Sequence, residues 1–200
     1  FMDSNGSLSA SFGLHGPFST AGGNGIFEIG LASNGATALL VQSQELTSGV
    51  ETDLLARTID VNGNVSAMTN LTPWSGNQYR PRAAWDGSHF VVVYQDQRNR
   101  FAPLTLDQLD ATSDLFGMRI DANRTVLDPK GFLVSNSRLA EYAPNLASSG
   151  GASLLAASLM RNETPLANYR IGYQQLGAGG NRWPVAVGAG EVAAGVGPQP

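Results

Sequence analysis

The feature that most constrains this chain is an internal repeat of about sixty residues. The clearest copy begins with a short strand, 81–85, and an Asp86-Gly87 turn, in which both residues are predicted to adopt positive φ. An unbroken apolar run follows at 90–94, and such a run indicates a strand that is buried on both faces. A third strand at 114–121 and a fourth that begins at 125–127 complete the predicted unit.

The same order of strands and turns precedes and follows this copy. The spacing is nearly constant, since Asp53 and Asp114 are 61 residues apart and Tyr79 and Tyr142 are 63 apart. The preceding copy is predicted to have strands at 29–33, 38–41, 53–60 and 61–65, with an Asn34-Gly35 turn. The following copy is predicted to have strands at 142–147, 154–157, 169–175 and 183–187, with a Ser149-Gly150 turn.

The repeat also sets the expected domain limits. Residues 1–13 resemble the end of a preceding repeat, because Asp3 begins the same Asp-x-Asn-Gly sequence as Asp60. We expect the chain to be a piece of a longer protein. Its parts are predicted to be one repeat domain at 1–187, with copies at about 24–72, 78–137 and 141–187, and a tail or linker at 188–200.

A repeated four-stranded sheet restricts the possible architectures. One such sheet cannot bury both of its faces, so successive copies must stack, and radial stacking gives a β-propeller. We therefore predict an all-β, β-propeller-like fold of about three four-stranded antiparallel blades plus an extra N-terminal strand at 8–12, forming part of a larger propeller. The alternatives are a ring that this N-terminal strand closes and a flat β-sandwich of repeated hairpins.

Composition agrees with short strands and excludes several classes of function. Charged residues are 14% of the chain, against roughly 25% in an average domain, and there are 24 glycines. A net charge of −4 argues against a nucleic-acid partner. The absence of cysteine excludes disulfides and thiolate metal sites. No apolar run reaches the roughly eighteen residues of a membrane helix, so no membrane span is predicted.

The middle copy resembles a repeat of large bacterial secreted or surface proteins. The resemblance rests on five motifs in this copy, and it extends with weaker matches over residues 24–175. The motifs are Pro81-x-x-Ala84-Trp85-Asp86-Gly87, the run 90–94, Asp96-x-Arg98, Asp114-Leu115-Phe116-Gly117-x-Arg119 and Leu127-Asp128-Pro129-x-Gly131. Gln44 and Leu46 replace Asp96 and Arg98 in the first copy, and Leu159 replaces the aspartate in the third. The resemblance implies an extracellular bacterial propeller and no defined activity.

The Asp-x-Asn-Gly sequences are weak candidates for a calcium site. Carboxylate and amide oxygens are suitable ligands, but calcium takes six to eight of them, and each sequence supplies one carboxylate. Asx-Gly is also what a tight turn requires. The turn is the favoured interpretation, with calcium as the alternative; the residues are Asp60, Asn62, Asp121 and Asn123.

The candidate binding residues lie around the variable segment that follows the second strand of the middle copy. Arg98, between Asp96 and Asp114, can orient a ligand or can join two strand ends through an exposed, weak ion pair. The insertion 99–113 is a candidate contact loop, because insertions in repeat proteins lie on one face. Trp74 is predicted to lie exposed in a loop between copies. The insertion adds the candidates Arg100, Phe101, Asp107 and Asp110.

No catalytic signature stands out, and the two histidines, His15 and His89, are far apart in sequence. The favoured function is a non-enzymatic extracellular scaffold or protein-binding module of a bacterial surface protein or assembly. Its partner would be another protein or other copies of the same chain. The alternatives are a carbohydrate-binding or glycoside-cleaving propeller and a calcium-stabilised adhesin.

Overall fold

The structure, a computed structural model, describes residues 26–47, 51–98, 113–135, 140–149, 152–161, 168–177 and 185–192. Three antiparallel four-stranded sheets occupy these residues, and each comes from one predicted copy of the repeat. Sheet 1 contains β1 Ile26–Ser33, β2 Thr37–Thr47, β3 Glu51–Asp60 and β4 Thr69–Asn70. Sheet 2 contains β5 Gln78–Trp85, β6 Phe90–Asp96, β7 Asp114–Ile120 and β8 Phe132–Ser135. Sheet 3 contains β9 Ala140–Ser149, β10 Ala152–Arg161, β11 Asn168–Gly177 and β12 Val185–Val192.

Each sheet is a meander in which every strand pairs with the next one along the chain. This confirms the all-β, antiparallel prediction. The fourth strands, however, begin later than predicted: β4 begins at Thr69 and β8 at Phe132. Val65 and Val126, in the predicted positions, form only single bridges to the ends of β3 and β7. The chain then leaves the sheet and returns to form a short edge strand.

The last strand corrects the predicted end of the domain. β12 pairs with β11 from Ile171 to Gly177 and continues to Val192, so residues 188–192 belong to a strand. This strand occupies the fourth place of sheet 3. That is the place which the closed-ring alternative assigned to the N-terminal strand at 8–12, and those residues lie outside the described part of the chain.

The first hairpin turns of sheets 1 and 2 share one geometry, which differs from the predicted one. In each turn the first residue, Asn34 or Asp86, accepts hydrogen bonds at its Oδ1 from the backbone N–H groups two and three residues later. Only the glycine has positive φ, 90° at Gly35 and 101° at Gly87. The side-chain cap therefore replaces the second positive-φ residue that a two-residue turn would require.

The hydrophobic core lies between successive sheets. One cluster joins Leu39 and Val41 of sheet 1 to Val92 of sheet 2, and a second joins Val91 of sheet 2 to Leu155 of sheet 3. Every residue of β6 is buried, as its unbroken apolar sequence predicts, because sheet 2 lies between the other two sheets. Three successive layers also differ from the two layers of the β-sandwich alternative.

The first strands of the three sheets lie side by side. β1 contacts β5, and β5 contacts β9. The approach of β1 to β5 depends on Gly30, because a Cβ at this position would lie 2.9 Å from the Pro81 carbonyl oxygen and 3.1 Å from the Cα of Arg82. These inner strands carry the charged residues described below.

Candidate functional site

The end of β6 forms a buried ion pair between Asp96 and Arg98. The carboxylate of Asp96 accepts three hydrogen bonds from Arg98: from the backbone N–H at 2.7 Å, from Nε at 2.9 Å and from Nη2 at 2.6 Å. The side chain of Asp96 is 0% exposed and that of Arg98 is 20% exposed. The prediction of an exposed and weak pair is therefore wrong, because the strand end lies between two packed sheets.

The guanidinium group of Arg98 also joins three other parts of the fold. It lies 4.5 Å from the centre of the Trp74 ring and 4.0 Å from that of Phe116. Its Nη1 donates a hydrogen bond to the carbonyl oxygen of Lys130, and its Nη2 donates one to the hydroxyl of Tyr94. Arg98 thus connects the chain after sheet 1, strand β7 and the β7–β8 loop.

The electrostatics of this cluster keep its groups in one protonation state. Burial opposes the charge of Arg98, but the hydrogen bonds and charge of Asp96 raise its pKa above the ordinary value. Burial likewise raises the pKa of the Tyr94 hydroxyl, with the charge of Asp96 adding to the effect. Arg98 therefore remains charged and Tyr94 remains protonated at every pH at which the fold is stable.

The other predicted binding residues fall into two groups. Trp74 is half-buried against the core rather than exposed, and its Nε1 makes no hydrogen bond within the described residues. Asp114 lies directly opposite Asp96 in the β6–β7 pairing and is half-buried. The structure therefore brings four predicted residues to one end of sheet 2. The candidates Arg100, Phe101, Asp107 and Asp110 lie outside the described residues.

The Asp-x-Asn turns are closed by their own carboxylates. Asp60 accepts hydrogen bonds from the backbone N–H groups of Asn62 and Asn64, and from the side-chain amide of Asn64. The amide hydrogen bond is the largest cause of a lowered pKa at Asp60. Asp121 accepts the equivalent backbone hydrogen bonds from Asn123 and Thr125. Both candidate calcium residues are thus engaged in the turns that the alternative interpretation predicted.

A second polar cluster, which the sequence analysis did not single out, lies where β5 and β9 bulge. Arg80 and Ala143 each precede a proline and have positive φ, 54° and 50°. The carboxamide oxygen of Gln95 accepts hydrogen bonds from Nη1 of Arg80 at 3.2 Å and from the backbone N–H of Ala143 at 3.1 Å. The recurrence of Tyr-x-Pro at a spacing of 63 residues is the sequence signal that marks these two bulges.

Charged side chains extend this cluster across β1 and β5. Glu28 Oε1 lies 3.4 Å from Nε of Arg80, and Glu28 Oε2 lies 4.0 Å from Nη1 of Arg82. The three side chains are between 27% and 34% exposed. The inner-strand cluster, Glu28, Arg80 and Arg82, therefore presents one carboxylate and two guanidinium groups to solvent, where they can donate to and accept from a polar ligand.

The described residues show no group of three or more acidic or histidine side chains with the spacing of a metal site. Among these residues there is also no helix that is long and apolar enough to cross a membrane.

Three meandering sheets stacked in chain order, with their first strands side by side, define a β-propeller-like fold. No protein family and no curated protein matches the sequence. Solved structures do match it. One is the complex of the GH93 α-L-arabinofuranosidase of Fusarium graminearum with arabinobiose, at 12% sequence identity and a TM-score of 0.53. The match covers 78% of this chain and 45% of the arabinofuranosidase, so the chain spans less than half the length of that propeller.

Proposed function

We propose that this chain is a non-enzymatic scaffold or protein-binding module that acts outside the cell, in a bacterial surface protein or assembly. The observation that carries the proposal is the use of the described carboxylates inside the fold. Asp96 binds Arg98, Asp128 binds Arg119 through two parallel hydrogen bonds of 2.9 Å, and Asp86 caps a turn. A general acid or nucleophile has to reach its substrate instead.

The surface of sheet 1 supports a binding role. Ile29 and Leu31, on the inner strand β1, are 58% and 61% exposed. Large apolar side chains that are adjacent on one strand face and exposed to this degree mark interaction surfaces more often than active sites. The secreted location rests on the resemblance of the repeat to bacterial surface proteins.

A hydrolysis assay tests the non-enzymatic part of the proposal. The purified chain is incubated with arabinan, arabinobiose and a panel of other plant and bacterial polysaccharides, and released reducing sugar is measured. We expect no release above that of the heat-denatured chain. Release that Asp114→Asn abolishes, in a variant with unchanged circular dichroism, would establish an enzyme and overturn the proposal.

Carbohydrate binding is the second candidate function. Two observations favour it: the structural neighbour was solved with arabinobiose, and the inner-strand cluster offers solvent-exposed donors and an acceptor. Affinity electrophoresis in gels that contain arabinan tests it. Retardation of the chain that is lost in Arg82→Ala, and kept in Arg124→Ala, supports this function. Equal mobility with and without the polysaccharide rejects it for arabinan.

A calcium-stabilised adhesin is the third candidate, and the Asp60 turn is its best site in the described residues. Thermal unfolding in 1 mM calcium and in excess EDTA decides it, on the order of concentrations at which extracellular modules bind calcium. An unchanged transition removes this candidate. A transition that rises with calcium, and no longer does so in Asp60→Ala, supports it.

A further inference from the structure

Sheets 2 and 3 use equivalent rows of side chains to contact the sheet that precedes them. In sheet 2 the row is Ala83, Val92 and Met118, paired across β5, β6 and β7, and it packs against sheet 1. In sheet 3 the equivalent residues are Leu146 and Leu155, paired across β9 and β10, and they pack against sheet 2. The spacings of 63 residues from Ala83 to Leu146 and from Val92 to Leu155 match that of the repeat.

Sheet 1 has the same row, but no described sheet covers it. The residues are Leu31, Leu40 and Arg57, paired across β1, β2 and β3 in the same register. Leu31 is 61% exposed and Leu40 is half-buried, whereas Val92 and Met118 in the equivalent row are 0% exposed. The repeat thus leaves open at its first sheet the contact that it makes twice further along the chain. We call this row the leading face.

The opposite end of the stack presents the other half of the same contact. Leu155 faces sheet 2, so the neighbouring residue Ala156 points to the other side of sheet 3, because side chains alternate along a strand. Its equivalents in sheets 1 and 2, at spacings of 63 and 115 residues, are Val41 and Val93, and both pack against the next sheet. We call the side of sheet 3 that carries Ala156 the trailing face.

We propose that a second copy of this chain covers the leading face, with the trailing face of its sheet 3 packed on Leu31 as sheet 1 packs on sheet 2. This proposal rests on the proposed function as a protein-binding module and names its partner. A leading face and a trailing face differ, so each contact is head-to-tail, and two such contacts close a ring of two chains. The ring would contain six sheets, within the range of four to eight blades that propellers have.

The comparison with the arabinofuranosidase supports a ring of this size. That propeller is more than twice as long as the part of it that this chain matches, since the match covers 45% of its length. A second copy supplies a comparable number of further sheets. The contact continues a type of interface that the chain already forms twice within itself, and it buries Ile29 and Leu31, which are more than half exposed without it.

Analytical ultracentrifugation of the 200-residue chain tests the proposal. We expect a concentration-dependent species of twice the 21.0 kDa chain mass. Leu31→Asp should weaken the association more than about tenfold, because a charge replaces an apolar residue at the centre of the contact. Leu127→Asp is the matched control: Leu127 is 39% exposed and lies outside both faces, so its variant should associate like the parent chain.

Mixing two variants tests the head-to-tail geometry. Ala156→Asp should also prevent association, since it changes the trailing face. A mixture of Leu31→Asp and Ala156→Asp chains retains one contact in which both faces are unchanged, so a dimer should reappear in the mixture although neither variant dimerises alone. A symmetric contact between two leading faces predicts no such recovery, and its absence would overturn the proposed arrangement.

A folded chain that remains monomeric at 100 μM, with the circular dichroism of a β-sheet protein, would overturn the proposal and assign the leading face to another occupant. The same holds if Leu31→Asp associates like the parent chain. Neither outcome affects the non-enzymatic assignment, which the hydrolysis assay decides separately. Sugar release by a chain that still dimerises would remove the proposed function and leave the docking geometry intact.

Discussion

Arg98 donates three hydrogen bonds to Asp96, two residues before it, while its guanidinium group contacts Trp74 from the end of sheet 1. A local ion pair thus fixes the position of a long-range contact. Because Asp96 is 0% exposed, its charge depends on this partner for stabilisation. The pair therefore contributes to the packing of sheets 1 and 2 and offers no free group to a ligand.

Replacing Arg98 is expected to destabilise the chain strongly. Arg98→Ala leaves the buried carboxylate of Asp96 without its cation and should lower the free energy of unfolding by about 3 kcal/mol. Arg98→Lys keeps the charge but loses the planar contacts with Trp74 and Phe116, so an intermediate loss is expected. Urea unfolding measured by circular dichroism gives both values. Lys130→Ala, which keeps the carbonyl oxygen that Arg98 binds, should change stability by less than about 0.5 kcal/mol.

The turns after β3 and β7 offer a reciprocal test of backbone strain. Gly63 has a φ of 84°, and the equivalent position in the second turn holds Arg124 with a φ of 74°. Arg124→Gly should raise the free energy of unfolding by about 1 kcal/mol, and Gly63→Ala should lower it by about 1 kcal/mol, because a Cβ is unfavourable at positive φ. The two urea midpoints should move in opposite directions. A shift of both in the same direction would contradict this explanation.

Two aspartates of sheet 1 are expected to influence acid stability with opposite signs. Burial raises the pKa of Asp53 above 3.8, so its charged form costs stability at neutral pH, and this cost disappears as the pH falls through its pKa. The hydrogen bonds of Asn64 lower the pKa of Asp60 below 3.8, so its stabilising contribution is complete above pH 4 and is lost below its folded pKa.

The corresponding variants separate these effects. Asp53→Asn should be more stable than the parent chain at pH 7, with the difference shrinking toward pH 4. Asp60→Asn should be less stable at pH 7 and should approach the parent chain only below pH 4. Urea midpoints at pH 7, 5 and 3.5 measure both trends. A gain for Asp53→Asn that does not depend on pH would show that packing, and not charge, is the cause.

Gly30 is predicted to be the glycine least tolerant of a side chain. The added methyl group of Gly30→Ala would meet backbone atoms of β5 at 2.9 to 3.2 Å, which cannot move without separating sheets 1 and 2. We expect a loss of about 2–3 kcal/mol. Gly87→Ala meets no atom within 4 Å and isolates the cost of a φ of 101°, about 1 kcal/mol. Equal losses in thermal unfolding would exclude a steric role for Gly30.

The sequence predicts those elements whose pattern is local. The run 90–94 indicates a strand that is covered on both faces, and β6 is such a strand, because its side chains have a neighbouring sheet on either side. The positions of β4 and β8 were not predictable in this way, since short edge strands carry little periodicity. The Asp-x-Asn-Gly turns were taken as connections to these strands, but they lead first to a single bridge.

The candidate site shows the same limit. Asp96 and Arg98 are close in sequence, so their pairing follows from their spacing. The contact of Arg98 with Trp74 crosses from one repeat to the next, and no local pattern specifies which side chains of two stacked sheets meet. The role of Gln95 was missed for the same reason, since Ala143 lies 48 residues away in the next sheet.

The hydrogen bond from Ala143 to Gln95 also determines how such a chain can be recombined. A junction placed between β8 and β9 would separate Gln95 from the bulge that it holds, although it would leave every sheet whole. A junction after β9 would keep the bond and divide a sheet instead. The exchangeable unit in a chimera is therefore one sheet together with the inner strand of its successor.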